Sequence, residues 1–271
     1  MENSSVLSEK NDTVIFDSMA KSYDNEFTDT LLGRLLRNRV WDVISQHFKP
    51  GDHILEINCG TGEDAIWMAK KGFFVTATDA SAEMIKIAKE KLSNQEIEIK
   101  RRVSFQQKSF DEINTVKVLN SFDGVLSDFG GINTISEWKK LSESLAEIMK
   151  PRSTVILVPM GKWCFWEMIW FSLHLDFKKA FRRFNQPVLF KTETGEIKIW
   201  YPTYSELKKT FSANFQFDSS QGMGIFLPPS YLKNWVDRFP GIFKWLDRLD
   251  RILGNIFPFW GDHYILVMRR K

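Results

Sequence analysis

The chain has 271 residues, 43% of them apolar and 26% charged, with a net charge of +3. That length buries a sizeable core and fits one large domain, and the composition excludes a disordered chain. The positive charge is too small and too dispersed for a nucleic-acid surface. The two cysteines, Cys59 and Cys164, give neither a disulfide framework nor metal-ligand spacing. The expectation is a reducing, cytoplasmic setting with no metal and no nucleic-acid partner.

Residues 1–15 are polar and lack the apolar core of a secretory signal. The most apolar run, residues 163–175, is interrupted by Glu167 and His174 and falls short of the roughly 20 residues that span a bilayer. Residues 53–58 form a short apolar run between Pro50-Gly51 and Cys59-Gly60, which predicts a buried strand. A helix over 63–71, a strand over 73–78 and an amphipathic helix over 81–92 follow. Strands over 103–105 and 124–127, a helix over 135–149 and an apolar strand over 154–159 complete an alternation that implies a parallel sheet covered on both faces.

Beyond residue 160 the pattern loosens and aromatic residues concentrate. Thr203 and Glu206 form a capping box for a helix ending near Phe211, followed by a strand near 215–219. Residues 233–255 read as helix broken at Pro240, with Ile242, Trp245, Leu246, Leu249 and Leu253 in one apolar stripe. A last strand covers 264–268. Without a repeat or a low-complexity linker, a single domain over 1–271 is expected.

The chemistry concentrates where the first strand meets the first helix, at Glu56-Ile57-Asn58-Cys59-Gly60-Thr61-Gly62. Glycines there allow positive φ and close approach of a ligand to the backbone, and free N–H groups of the next helix face it. Asp79, at the carboxyl end of the second strand, can accept both hydroxyls of a ribose. A dinucleotide fingerprint wants G-x-G-x-x-G, but Asn58 and Ala65 stand at its first and last glycines. Glu56 would also oppose a pyrophosphate, whereas it suits a cofactor bearing an ammonium and a sulfonium.

This stretch resembles the first motif of class I S-adenosylmethionine-dependent methyltransferases. Phe16, Ala20 and Tyr23-Asp24 are similar to the N-terminal lid helix of small-molecule members. Asp79-Ala80-Ser81 with Met84 resembles the second motif, and Phe122-Asp123-Gly124-Val125 with Asp128-Phe129-Gly130 the fourth. The resemblance covers about residues 15–160. It implies a doubly wound, Rossmann-like α/β fold with a seven-stranded sheet whose last strand is antiparallel, and S-adenosylmethionine as cofactor. Glu56, Asn58 and the loop from Gly60 to Gly62 would hold the methionine end, with Tyr23 on the lid and Asp128 and Phe129 after the fourth strand. Asp79 would hold the ribose, Ala80 and Met84 the adenine, and Ser109 and Phe110 its amino edge, where many members carry an acid.

On that fold, residues 1–48 form lid helices, 49–160 the cofactor core, and 160–202 and 220–262 helical insertions that converge above the cofactor as a substrate cover. Trp163, Trp166, Trp170, Phe171, Trp235, Trp245 and Trp260 lie in those insertions. They read as a cover for a bulky apolar substrate, as ordinary packing, or as a peripheral membrane contact, since Lys178-Lys179 and Arg182-Arg183 close the first insertion. Asp128 and then His263 are the candidate general bases, ahead of His174 and Tyr201. The expected activity is methyl transfer to a small organic acceptor, with oxygen preferred. A non-enzymatic cofactor-binding module and a dinucleotide-dependent oxidoreductase are the alternatives.

Overall fold

Apolar runs bounded by glycine or proline become strands, and polar caps set where the helices between them begin. The structure, a computed structural model, describes residues 2–116, 121–192 and 194–271, with side chains in the first helix from Thr13 onward. Helices α1 (Glu2–Tyr23) and α2 (Leu31–His47) precede the alternation β1 (His53–Ile57), α3 (Glu63–Lys70), β2 (Phe74–Asp79) and α4 (Ala82–Ser93). One turn, α5 (Ile97–Lys100), leads to β3 (Val103–Gln107), β4 (Phe122–Ser127), α6 (Trp138–Ile148) and β5 (Met149–Leu157). The second half adds α7 (Phe165–Leu173), α8 (Phe177–Ala180), β6 (Val188–Thr192), β7 (Gly195–Ile199) and α9 (Tyr204–Phe211). It ends with β8 (Phe215–Met223), α10 (Lys233–Arg238), α11 (Pro240–Ile256) and β9 (His263–Arg270).

Seven strands form one sheet in the order β3-β2-β1-β4-β5-β9-β8, in which β9 runs antiparallel to both of its neighbours. This is the doubly wound sheet with an antiparallel last strand that the sequence implied. Successive side chains of a strand face opposite ways, so Ile54 joins the core beneath α2 and α3 while Leu55 and Ile57 join the one beneath α6 and α9. The chain reverses direction across the sheet between β1 and β4, which opens a crevice at their carboxyl ends.

Two features differ from the sequence reading, while the break at Pro240 falls where it was expected. The hairpin β6–β7 was not anticipated: Leu189 and Phe190 are exposed while Ile197 is buried, so apolar residues on both of its faces blur the alternation that marks a half-buried strand. Pro240 opens α11 at its first turn, where proline's missing N–H costs nothing. The apolar stripe of α11 does not face the core at Ile242 and Trp245, both more than half exposed; the buried side carries Phe243, Asp247, Asp250 and Gly254. Among the described residues no helix is long and apolar enough to cross a membrane.

Candidate cofactor site

After β1 the backbone turns through three positive-φ residues, Asn58 (54°), Gly60 (52°) and Gly62 (76°). Gly60 faces open space, since a Cβ there would find only the Tyr23 ring at 3.9 Å. Gly62 serves packing: an added Cβ would meet Phe105 at 2.6 Å and Ala88 at 2.8 Å. Asn58 tolerates the left-handed region and uses its amide as a clip. Its Nδ2 donates to the carbonyl of Asp128 (3.1 Å), and Ser127 Oγ donates to its Oδ1 (2.5 Å), joining the loops after β1 and β4.

Asp79 closes β2. Its Oδ2 accepts the N–H of Gly60 and its Oδ1 the N–H of Ser81, each at 2.9 Å. Burial raises its carboxyl above the usual range, opposed by these two donors. Helix α1 lies over this edge. Asp17 Oδ1 accepts from Ser81 Oγ (2.5 Å) and from the N–H of Glu83 (3.1 Å), at the start of α4. Asp24 accepts from Thr61 Oγ1 (2.7 Å) and pairs with Lys91 (2.7 Å). Burial pushes the Tyr23 phenol up to about 12, so it stays protonated.

Beneath the loop lie three buried acids, Glu56, Asp64 and Asp128, whose oxygens come within 4.8 Å of one another. Asp64 is engaged by Arg37 and by Trp41 Nε1 (2.6 Å). Both Glu56 oxygens, Asp128 Oδ2 and Arg37 Nε find no hydrogen-bond partner among the described residues. A buried polar group left without a partner costs free energy comparable to a lost hydrogen bond, about 1–3 kcal/mol. Burial, and then repulsion from Asp128, raise the Glu56 carboxyl well above its ordinary value. Burial lifts Asp128 to about 6 against the opposing pull of Arg37. The guanidinium of Arg37 also sits over the Phe27 and Phe129 rings, which fixes its plane.

These elements enclose a cavity of about 190 Å³. Tyr23, Asn58, Gly60, Asp79, Ala80, Met84, Ser109, Phe110, Asp128 and Phe129, all expected from sequence, line it. Glu56 is fully buried behind Asp128, and Gly62 lies outside the lining. Ser109 also caps the turn of residues 110–115 with Glu112. His263 is not in the lining; its ring packs against Phe129, centroids 6.0 Å apart, and its Nδ1 lies 3.3 Å from Asp262. No tryptophan lines the cavity either, so the insertions do not form its inner wall. The sequence reading missed Arg37 and Asp17. Arg37 had a signal: it lies four residues after Gly33 and seven before Ile44, on one side of α2 with an apolar residue two turns on, where a cation needs a reason.

The group implied by the sequence carries an ammonium, a carboxylate, a ribose and an adenine, and the donors present match each part. Two carboxylates with unpartnered oxygens suit an ammonium, Arg37 a carboxylate, Asp79 the ribose hydroxyls, and Met84 with Phe110 an aromatic base.

Residues 54–152 match the family described as a methyltransferase domain. The demethylmenaquinone methyltransferase of Leptospira interrogans is 29% identical over 151 residues, 54% of this chain and 59% of that protein. The demethylmenaquinone methyltransferase of Symbiobacterium thermophilum is 27% identical over 158 residues, 55% of this chain and 58% of that one. The chain thus spans less than two thirds of the length of these curated relatives. Among solved structures, an S-adenosylmethionine-dependent methyltransferase from Mesorhizobium loti superposes with a TM-score of 0.53 at 13% identity, over 85% of this chain and 97% of that one. The [4+2]-cyclase SpnF superposes at 0.57 with 16% identity, over 85% of this chain and 80% of that one. Likeness at that identity establishes the fold, and one fold hosts several chemistries.

Proposed function

We propose that the chain is a class I S-adenosylmethionine-dependent methyltransferase, built on the methyltransferase domain matched by residues 54–152, and that it transfers a methyl group to a small, largely apolar organic acceptor, with oxygen as the preferred atom. The observation that carries this reading is the paired demand at the cavity floor and just beneath it. Unpartnered oxygens of Glu56 and Asp128 call for a cation, and the unpartnered Nε of Arg37, a few side chains away, calls for an anion. An amino acid zwitterion supplies both, whereas the pyrophosphate of a dinucleotide would bring negative charge to these acids. The names of the curated relatives, demethylmenaquinone methyltransferases, support a small-molecule acceptor.

When bound, the cofactor supplies a methyl already activated on a sulfonium. The protein's work is then alignment and exclusion of water. Phe16, Phe110, Phe129 and Ile135 line the cavity with apolar surface for both tasks. Helix α1, tied to the start of α4 through Asp17, acts as the lid. Asp128 serves the cofactor in preference to the acceptor, because an ammonium beside it keeps it ionised and makes it a weak base.

The test is incubation with methyl-labelled S-adenosylmethionine and a panel of lipophilic phenols and quinols, followed by extraction of labelled product. Label in an extracted ether product supports the reading. Tight cofactor binding with no label transferred to any acceptor class would favour the non-enzymatic module.

A further inference from the structure

Helix α11 turns its polar side inward and its apolar side outward. Asp250, fully buried, pairs with Arg39 and accepts the N–H groups of Gly224 (3.0 Å) and Phe226 (2.7 Å). Asp247 pairs with Arg251 at 2.9 Å. Gly254 lets the helix settle on the backbone of β8, because a Cβ there would strike the Gly222 carbonyl. With that side anchored by ion pairs, Ile242, Trp245, Ile252 and Ile256 point to solvent at 56%, 56%, 63% and 61% exposure. At about 100° per residue they fall on one arc of the helix, with exposed Lys244 and Arg248 beside it.

The first insertion repeats the arrangement. Glu167 of α7 is buried between Arg182 and Arg183, and Arg183 also holds Asp262 at 2.5 Å and the Gly161 carbonyl at 2.8 Å. Leu173 and Leu175, meanwhile, are the most exposed large apolar side chains among the described residues, followed by exposed Lys178 and Lys179. Trp170 meets Trp235 of α10 at 5.0 Å, and Trp260 joins Phe257 at 4.4 Å to Phe165 at 4.7 Å. The aromatic contacts make α7, α10 and α11 one surface.

Of the 19 exposed large apolar residues among the described ones, 14 lie at positions 163–181 and 231–260, a concentration in the two insertions and not random scatter. Charge says what covers it. Glu167, Asp247, Asp250 and Asp262 are buried against arginines, while Lys178, Lys179, Arg238, Lys244 and Arg248 are exposed; against these five cations stand exposed Asp237 and half-buried Asp176, which pairs with Lys179 at 3.1 Å. A second copy would bring the same positive charges into opposition. An anionic lipid surface satisfies both properties, taking apolar side chains about 5–10 Å into the headgroup boundary with lysine and arginine on the phosphates.

We propose that the face formed by α7, α10 and α11 docks the protein onto an anionic bilayer. This goes beyond the proposed methyl transfer and stands without it.

The test is co-sedimentation of the full chain with vesicles of phosphatidylcholine alone and of phosphatidylcholine mixed with phosphatidylglycerol. Binding to the mixed vesicles, weakening as salt rises, is the expected result. The double variant Trp245→Glu, Ile252→Glu should lose at least about tenfold in vesicle affinity, as removal of two membrane-inserted side chains requires. Its circular dichroism, unfolding midpoint and cofactor affinity should be unchanged. Lys244→Glu with Arg248→Glu should erase the preference for anionic lipid. No vesicle binding at low salt, equal binding by the Trp245→Glu, Ile252→Glu chain, or a dimer that this variant dissociates would each overturn the proposal.

Discussion

The carboxylate of Asp79 accepts the backbone N–H of Gly60 at 2.9 Å, which joins the end of β2 directly to the loop after β1. Its other oxygen is held equally by Ser81. Each oxygen keeps a further lone pair, and Asp79 lines the cavity together with Gly60. The carboxylate is therefore preorganised, and ligand binding need not order it.

Asp79→Ala removes that carboxylate and frees the loop. Hydrogen bonds to a charged group contribute about 1.5–3 kcal/mol, so S-adenosylhomocysteine affinity should fall roughly 10- to 150-fold. Calorimetric titration of the folded variant checks this, and an unchanged affinity would remove Asp79 from the ribose.

Glu56→Gln separates stability from binding. The folded carboxyl sits well above its ordinary value of 4.5, so its favourable contribution is complete below that value and lost as pH rises through the folded value. At neutral pH the neutral amide should raise the unfolding midpoint, and the gain should vanish near pH 4. Cofactor affinity should drop about tenfold, since the ammonium loses a charged partner. A variant that is less stable at pH 7 and binds normally contradicts both halves.

Asp128 gives the binding a pH dependence. Its carboxyl, raised to about 6, attracts an ammonium only when ionised, so S-adenosylmethionine affinity should be full above pH 6 and fall as pH drops through it. Methylthioadenosine, which has no ammonium, should show a flatter profile. Parallel titrations between pH 5 and pH 8 compare the two, and identical profiles would place the ammonium elsewhere.

The two loop glycines should fail differently. Gly62→Ala drives a methyl into Phe105 and Ala88 at positive φ, so overpacking of about 1–3 kcal/mol adds to a left-handed backbone cost of about 1–2 kcal/mol. Gly60→Ala meets no such obstacle, so it should cost only the left-handed backbone, about 1–2 kcal/mol, while crowding the cofactor. Denaturant unfolding beside calorimetry resolves the pair; equal stability losses with equal binding losses would show that the loop has one role.

Most of the cofactor cleft was legible because its signals are local. Glycines at a strand–helix junction, an acid at a strand end and a capping serine each act within a few residues of themselves. What escaped the sequence depends on distant partners. The outward turn of the α11 stripe follows from Asp250 meeting Arg39, two hundred residues earlier in the chain, and no periodicity in α11 alone reveals that its charged side is the buried one. His263 begins the last strand as expected, yet the Phe129 ring lies against it, and that depends on the positive φ of Phe129, 43°.

The most direct measurement is calorimetric titration of the purified chain with S-adenosylmethionine, S-adenosylhomocysteine and NAD in parallel. Micromolar binding of the two sulfur compounds with no heat from NAD is the expected result, and the ammonium and carboxylate partners at Glu56, Asp128 and Arg37 would then have their ligand. Binding of NAD, or no binding of either sulfur compound, would contradict the assignment of this cleft.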